Sequence, residues 1–478
     1  MENPQAPTAS PSRLGEVAIA WIGLYGMAVV MGYGRFLFTA TLPDIIVQLG
    51  LSTAMAGWLA SINYIGYFLG AIIAMFVPQR HTWLALIIAS VVSIVTTAAL
   101  AIPDMSIFIW QVIRLIAGIA SGVAMILGSS YVVKHFSLSR RAMLSTIHYG
   151  GIGVGITASA ALTWSLLSMG YHFATIWWVA ALTSLPLLLL LMKIRPSAAE
   201  KQLSPNASYL STTIPATDNS AIITSTALSD QDQSVSYNRE HLPAHSNAIA
   251  NNHSIVNKLS QLKGFMKTAL ANQGYVITLL LVSYGLSGFG YITSATFLPV
   301  MATQSLGADV GVAQGLSGQE AGLLIWLLVG IFATFSNPLW GRLARDVGEF
   351  KTLIGLIILQ AFGMLLPLLS PGAVGLYGNA IILGATFVGI VSMTLGIIKE
   401  INPNYSNLLI GLATLAYAIG QFLGPLVTVA LAGKNDNFNA GLAVAGGGLI
   451  IGLVLILLIR LLPKSKFESE SESISHSG

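Results

Sequence analysis

The feature that most constrains this chain is a series of twelve apolar runs, each long enough to cross a membrane as a helix. A helix rises about 1.5 Å per residue, so about twenty residues span a hydrocarbon core about 30 Å thick. Only 8% of the 478 residues are charged, against about 25% in an ordinary soluble domain. The sequence therefore predicts an all-α membrane protein whose transmembrane helices occupy residues 16–41, 54–77, 82–102, 106–133, 142–168, 173–192, 273–303, 319–340, 352–370, 373–398, 405–432 and 439–462.

The basic residues predict how these helices are oriented. Nineteen of the 22 Lys and Arg residues lie in the two tails and in alternate connections, and the remaining three are Lys434, Arg35 and Arg114. Since basic connections face the cytoplasm, both termini are expected on the cytoplasmic side of the membrane. The same bias accounts for the net charge of +4, so this charge does not indicate nucleic-acid binding.

The predicted helices divide the chain into two six-helix bundles, 16–195 and 272–463. A cytoplasmic tail, 1–15, precedes the first bundle, and a disordered acidic tail, 464–478, follows the second. Residues 196–271 form a predicted cytoplasmic linker rich in Ser, Thr, Asn and Gln. The last part of the linker carries apolar residues at helical spacing with lysines between them, which predicts an amphipathic helix on the membrane surface. These apolar residues are Ile255, Leu259, Leu262 and Met266.

An internal repeat relates the two bundles. The first helix contains GYGRFLFTATLP at 32–43, and the seventh contains GFGYITSATFLP at 288–299, an offset of 256. Each half has an even number of helices, so the two halves have the same orientation and form parallel repeats. The repeat is broken where Tyr291 takes the position of Arg35. Two parallel six-helix bundles are the architecture of a two-bundle transporter.

Several motifs resemble those of the major facilitator superfamily. Residues 341–351, GRLARDVGEFK, are similar to the loop signature G-x-L-A-D-R-x-G-R-K of that superfamily, with Arg345 and Asp346 in swapped order. Arg114 and Gly118 match its R-x-x-x-G motif, and residues 32–43 resemble the bacterial YbfB/YjiJ-type branch. The resemblance implies transport by alternating access, with no substrate specified. It also implies a gating loop, formed by Gly341, Arg342, Arg345, Asp346 and Gly348.

Two arginines lie inside predicted helices, where each costs about 2.5 to 3.5 kcal/mol on insertion scales. No Asp or Glu occupies the middle of a predicted helix, so the arginines give the first bundle a positive potential that favours an anionic solute. Each arginine has an alternative interpretation, as a residue bonded to carbonyl groups of neighbouring helices. Polar residues on other helices either line the same cavity or bridge helices. The candidate substrate contacts are Arg35, Asn63, Tyr67, Arg114, Tyr291, Tyr417 and Gln421.

His148 is the only histidine well inside an apolar run. A histidine exchanges a proton near neutral pH, so His148 and Arg114 are candidates for coupling transport to protons. The alternative is that His148 is a structural residue held by a hydrogen bond.

The motifs of the common enzyme classes are missing. The sequence has no paired carboxylates at depth, no zinc-binding H-E-x-x-H, no phosphate-binding G-x-x-x-x-G-K and no nucleophile elbow. We therefore expect no enzymatic activity, cofactor or metal, and the expected partners are the lipid bilayer, a small solute and protons. The leading hypothesis is a secondary active transporter, with an organic anion favoured. The alternative is a membrane-embedded receptor or regulatory protein that kept this fold without transport.

Overall fold

The computed structural model describes residues 14–102, 104–137, 139–196, 274–306, 317–401, 406–433 and 437–461. Within them it contains twelve helices that are long and apolar enough to cross a membrane, which confirms the predicted number of spans. The acidic tail, the predicted amphipathic helix, all of the linker beyond residue 196 and nearly all of the first tail lie outside the described residues.

The helices are numbered here in chain order. They are α1 Glu16–Leu49, α2 Thr53–Phe76, α3 Gln79–Ala99, α4 Ile107–Val133, α5 Arg141–Ser168, α6 Phe173–Lys193, α7 Gly274–Leu306, α8 Gly318–Val347, α9 Glu349–Leu369, α10 Ala373–Ile401, α11 Ser406–Ala432 and α12 Asn439–Leu461. Helices α1 to α6 form one bundle, and α7 to α12 form the other. The described helices of both bundles belong to one compact unit.

Helix α8 is longer than its apolar run predicts. The run ends at residue 340, but the helix continues to Val347. Hydropathy locates where a chain leaves the hydrocarbon core, whereas Arg, Leu and Ala continue a helix beyond that point. The helix stops where Gly348 adopts φ +91°, a conformation that glycine reaches without strain. The predicted gating loop is therefore the end of α8 plus Gly348, not an extended loop.

Helix α1 contains an irregular segment at the depth of the first buried arginine. Residues Ala28–Phe36 form π-helical turns, a geometry that is rare and concentrated at functional sites. This segment crosses α5 closely, since a Cβ atom added to Gly32 would lie 2.4 Å from the Cα atom of Gly155. The crossing fixes the rotation of α1 and leaves Arg35 3% exposed.

The two bundles meet along α2 and α11, and along α5 and α8. At one end of the first pair, a Cβ atom on Gly57 would lie 2.6 Å from the Val429 side chain. At the other end, a Cβ atom on Gly411 would lie 2.8 Å from the Met75 side chain. Helices α2 and α11 are therefore in contact at both ends.

The crossing of α2 and α4 depends on glycines. A Cβ atom on Gly118 would lie 2.1 Å from the carbonyl oxygen of Asn63, so any side chain there must separate the helices. We expect Gly118→Ala to destabilise the protein by about 1 to 3 kcal/mol, as overpacking does elsewhere. The matched control is Gly355→Ala on α9, where nothing lies within 4 Å of the added atom. Thermal denaturation in detergent measures both, and equal melting temperatures would contradict this packing.

Candidate functional site

Arg35 lies at the centre of the molecule, where the two bundles meet. Its guanidinium group stacks on two rings of α2, with its carbon 4.7 Å from the ring centre of Tyr64 and 4.4 Å from that of Tyr67. An Nη atom donates a hydrogen bond of 2.5 Å to the side-chain oxygen of Gln421 on α11. The Nε atom is buried and has no hydrogen-bond partner among the described residues. The cation is therefore held by π faces and one neutral amide.

Gln421 connects Arg35 to the second bundle. Its oxygen accepts from Arg35, and its amide nitrogen donates to the hydroxyl oxygen of Tyr291, 2.8 Å away on α7. Gln421 is 2% exposed, so this amide satisfies two buried groups at once. The connection joins α1, α7 and α11 at one point. The ion pair between two described residues, Glu16 with Arg140, does not involve Arg35.

A ladder of aromatic rings continues from this point into the second bundle. The ring of Tyr291 is parallel to that of Phe387 within 6° and to that of Tyr417 within 9°, at centre distances of 5.3 and 5.6 Å. Tyr417 in turn stacks on Tyr284 at 4.5 Å. We call Tyr284, Tyr417, Tyr291 and Phe387 the aromatic ladder. A gap beside it, between Phe36 of α1 and Tyr291, is too narrow to hold a water molecule. The rings at this gap are therefore packed without a water-sized space between them.

Arg114 and Asn63 form a separate pair within the first bundle. The Nε atom of Arg114 donates to the carbonyl oxygen of Leu59 at 3.2 Å, and its guanidinium lies 4.1 Å from the ring centre of Phe38. The Asn63 side chain donates to the carbonyl oxygen of Arg114 at 2.9 Å. These bonds link α2 to α4. Arg114 therefore contributes charge to the centre of the protein, and among the described residues neither side chain bonds directly to the second bundle.

His148 lies on α5, in the interior of the first bundle. Its Nε2 atom is 3.2 Å from the hydroxyl oxygen of Ser129 on α4. Its Nδ1 atom fills the space beside α1, where a Cβ atom on Gly23 would be 2.4 Å away. His148 is 2% exposed. Among the described residues, no hydrogen bond or ring contact joins His148 to Arg35 or Arg114. These contacts agree with the structural interpretation, and proton coupling remains a prediction.

The gating residues lie at the end of α8. Arg342, Arg345 and Asp346 are exposed, and in the part of the chain that the structure describes none of them forms an ion pair. Glu349 instead packs against α10, where a Cβ atom on Gly396 would lie 2.3 Å from its carboxylate.

Five of the seven predicted contact residues come together in the structure. These are Arg35, Tyr67, Tyr291, Tyr417 and Gln421. Sequence reasoning did not include Tyr64, Tyr284 or Phe387 in the site. Tyr284 had a signal, because it precedes Tyr291 by two helical turns and so shares its face of α7. Phe387 is one of many aromatic residues in apolar runs, and nothing in its spacing distinguishes it.

Two solved structures of membrane transporters have a fold similar to that of this chain. The xylose transporter XylE from E. coli, in a partially occluded inward-open conformation, is 14% identical, with a TM-score of 0.65 over 94% of this chain and 100% of that one. A mutant of the peptide transporter POT, in complex with sulfate, is 17% identical, with a TM-score of 0.61 over 94% and 96% of the two chains. At these identities the likeness shows the fold alone. A search of curated proteins finds no match.

The two bundles of six helices therefore have the fold of these two membrane transporters. A family model described as "Uncharacterised MFS-type transporter YbfB" matches residues 27–225 and 256–457. The chain therefore belongs to this family of major facilitator superfamily transporters, which confirms the resemblance read from the motifs.

Proposed function

We propose that this protein is a secondary active transporter of a small organic anion, in which the two bundles rock around Arg35 to expose it to each side in turn. The observation that carries the proposal is the state of Arg35. It is a cation, 3% exposed, between two bundles, and it donates a hydrogen bond to the neutral side chain of Gln421. A buried cation without an acidic partner stabilises a bound anion. Enzymatic chemistry has no comparable support.

In this proposal, the Gln421 amide occupies the position that a carboxylate group of the solute takes during transport. This amide bonds to Arg35 and Tyr291, the same groups that a carboxylate of the solute would contact. A guanidinium group matches a carboxylate through two parallel charge-assisted bonds, which are stronger than a bond to an amide. The entering anion therefore displaces Gln421 and breaks the connection between α1 and α11. We assign Arg114 to the positive potential of the site and Asn63 to the link between α2 and α4, both without direct contact to the solute.

The rocking motion is tested by cross-linking, for which the chain is well suited because it contains no cysteine. One pair, Gly57→Cys with Val429→Cys, closes one end of α2 and α11. The other pair, Met75→Cys with Gly411→Cys, closes the opposite end. Alternating access needs both ends to open, so we expect either disulfide to stop uptake and reduction to restore it. The four single variants are the controls. Full uptake with one end locked would contradict the mechanism and favour a fixed channel.

The topology belongs to the same proposal. The basic connections support an inner-membrane protein with both termini and the linker 196–271 in the cytoplasm. The domain boundaries at 16–195 and 272–463 follow from the same twelve spans. Labelling of a cysteine introduced near residue 225 from outside intact cells would contradict this orientation.

Coupling to protons is the least supported part of the proposal. If His148 carries the proton, His148→Gln should abolish accumulation driven by a pH gradient but leave counterflow, because exchange moves no net proton. Both are measured in the same proteoliposomes with the same labelled acid. Unchanged accumulation would remove His148 from the mechanism and leave it as the structural partner of Ser129 and Gly23.

A further inference from the structure

The residues around Arg35 carry information about the solute beyond its charge. Arg35 stacks on Tyr64 and Tyr67 of the first bundle, and its bond to Gln421 leads to the aromatic ladder of the second. The rings on the two sides of the cation are buried. The centre of the protein is therefore a cation between two sets of flat, electron-rich surfaces.

The fold itself does not require these rings. At the repeat offset of 256, Tyr284 and Tyr291 correspond to Ala28 and Arg35 in the first half. The same helix position in the same fold thus accepts a small or a cationic residue. Among the described residues, the near-parallel arrangement within 9° on both sides of Tyr291 occurs in the second bundle.

We propose that the solute is an aromatic carboxylate, with its carboxyl group attached directly to, or one carbon from, a flat ring. The inference rests on the proposed function and specifies the substrate class of the same site. The carboxylate takes the place of the Gln421 amide between Arg35 and Tyr291. The faces of Tyr417 and Tyr291 are covered by neighbouring rings of the ladder, so when the bundles separate the ring of the solute enters between Tyr67 and the edges of the ladder rings. Stacking of aromatic rings then adds to the charge-assisted bonds of the carboxylate.

Other solutes fit this arrangement less well. Tyrosine faces attract organic cations in many proteins, but here the faces of Tyr64 and Tyr67 already hold Arg35, which repels a second cation. A sugar needs many hydrogen-bonding groups. The described polar side chains bonded at this point are few: Arg35, Gln421 and Tyr291, with Tyr64 and Thr296 beside them.

Binding to the purified full-length protein tests the inference with four matched probes, by isothermal titration calorimetry and thermal shift. Benzoate and cyclohexanecarboxylate share charge and approximate size, but only benzoate is flat. Benzyl alcohol and benzylamine keep the ring and replace the carboxylate by a neutral or cationic group. We expect benzoate to bind about two- to tenfold more tightly than cyclohexanecarboxylate, the range that an aromatic pair supplies. The alcohol and the amine should not bind.

The other outcomes of this binding experiment would overturn either the aromatic inference alone or the proposed function as well. Equal binding of the two carboxylates would overturn the aromatic inference and leave the anion transporter intact. Binding of benzylamine in place of benzoate, or of neither carboxylate, would overturn both proposals.

Two variants test whether the preference for benzoate over cyclohexanecarboxylate comes from the aromatic ladder. Tyr417→Leu should bring the affinity ratio of the two carboxylates close to one while cyclohexanecarboxylate still binds. Tyr291→Phe keeps the ring and should preserve the ratio. A ratio unchanged in Tyr417→Leu would contradict stacking on the ladder, and because both probes bind the same protein sample, the ratio does not depend on the folded fraction.

Discussion

Gln421→Glu is expected to abolish uptake of the transported acid in a protein that remains folded. The new carboxylate has the shape of the amide it replaces, whose oxygen is 2.5 Å from an Arg35 nitrogen. It would form a permanent buried ion pair with Arg35 across the bundles. Arg35 would then no longer be free to bind the solute. Disrupting such a pair costs about 3 to 5 kcal/mol, which corresponds to a fall of about 100-fold or more in solute affinity. The acid is first identified by a thermal-shift panel, and its uptake is then measured in proteoliposomes.

The control for this variant is Gln421→Met. It removes both hydrogen bonds at similar side-chain length without adding charge, so we expect uptake to continue. The melting temperature further distinguishes Gln421→Glu from Gln421→Met. Because Gln421→Glu neutralises the charge of Arg35, it should raise the melting temperature. Normal uptake by Gln421→Glu would show that the anion does not bind where Gln421 now lies.

Arg35→Ala is expected to eliminate uptake, and Arg35→Lys to weaken the apparent affinity by about 10- to 100-fold because the lysine keeps the charge but loses the planar fork. Arg114→Lys is the matched variant in the same bundle. Arg114 supplies charge but bonds to the carbonyl oxygen of Leu59, so its replacement by lysine should leave the affinity nearly unchanged. Labelled-acid uptake over a range of concentrations gives the affinities, and size-exclusion profiles confirm folding.

Two outcomes would contradict this assignment. If Arg35→Ala transports normally, Arg35 is a structural residue. If Arg114→Lys loses as much affinity as Arg35→Lys, the two arginines contact the solute together, as the sequence alone had left open.

The fold could be predicted because the membrane imposes a simple rule. Each span must be apolar over the thickness of the hydrocarbon core, and so the hydropathy of single segments identified all twelve. Helix ends outside the membrane follow other rules. The end of α8 is set by the conformation of Gly348, and the apolar pattern carries no information about it.

The candidate site could be predicted only in part, for a related reason. A buried charge is conspicuous in any apolar run, so Arg35 and Arg114 were evident at once. Which of them faces the second bundle depends on how α1 is rotated, and the close crossing of Gly32 with Gly155 fixes that rotation. This contact joins residues far apart in sequence, and no local pattern records it. The bond from Arg35 to Gln421 has the same origin.

The central claim is that the protein moves an anion by exposing one binding site to each side in turn, and counterflow tests it most directly. Proteoliposomes are loaded with unlabelled acid and diluted into buffer that contains a trace of the labelled acid. The account predicts a transient accumulation of label inside the vesicles, absent in vesicles that contain Arg35→Ala. A receptor that kept the fold would bind the acid without exchanging it. Saturable binding without any transient accumulation of label would therefore contradict the account.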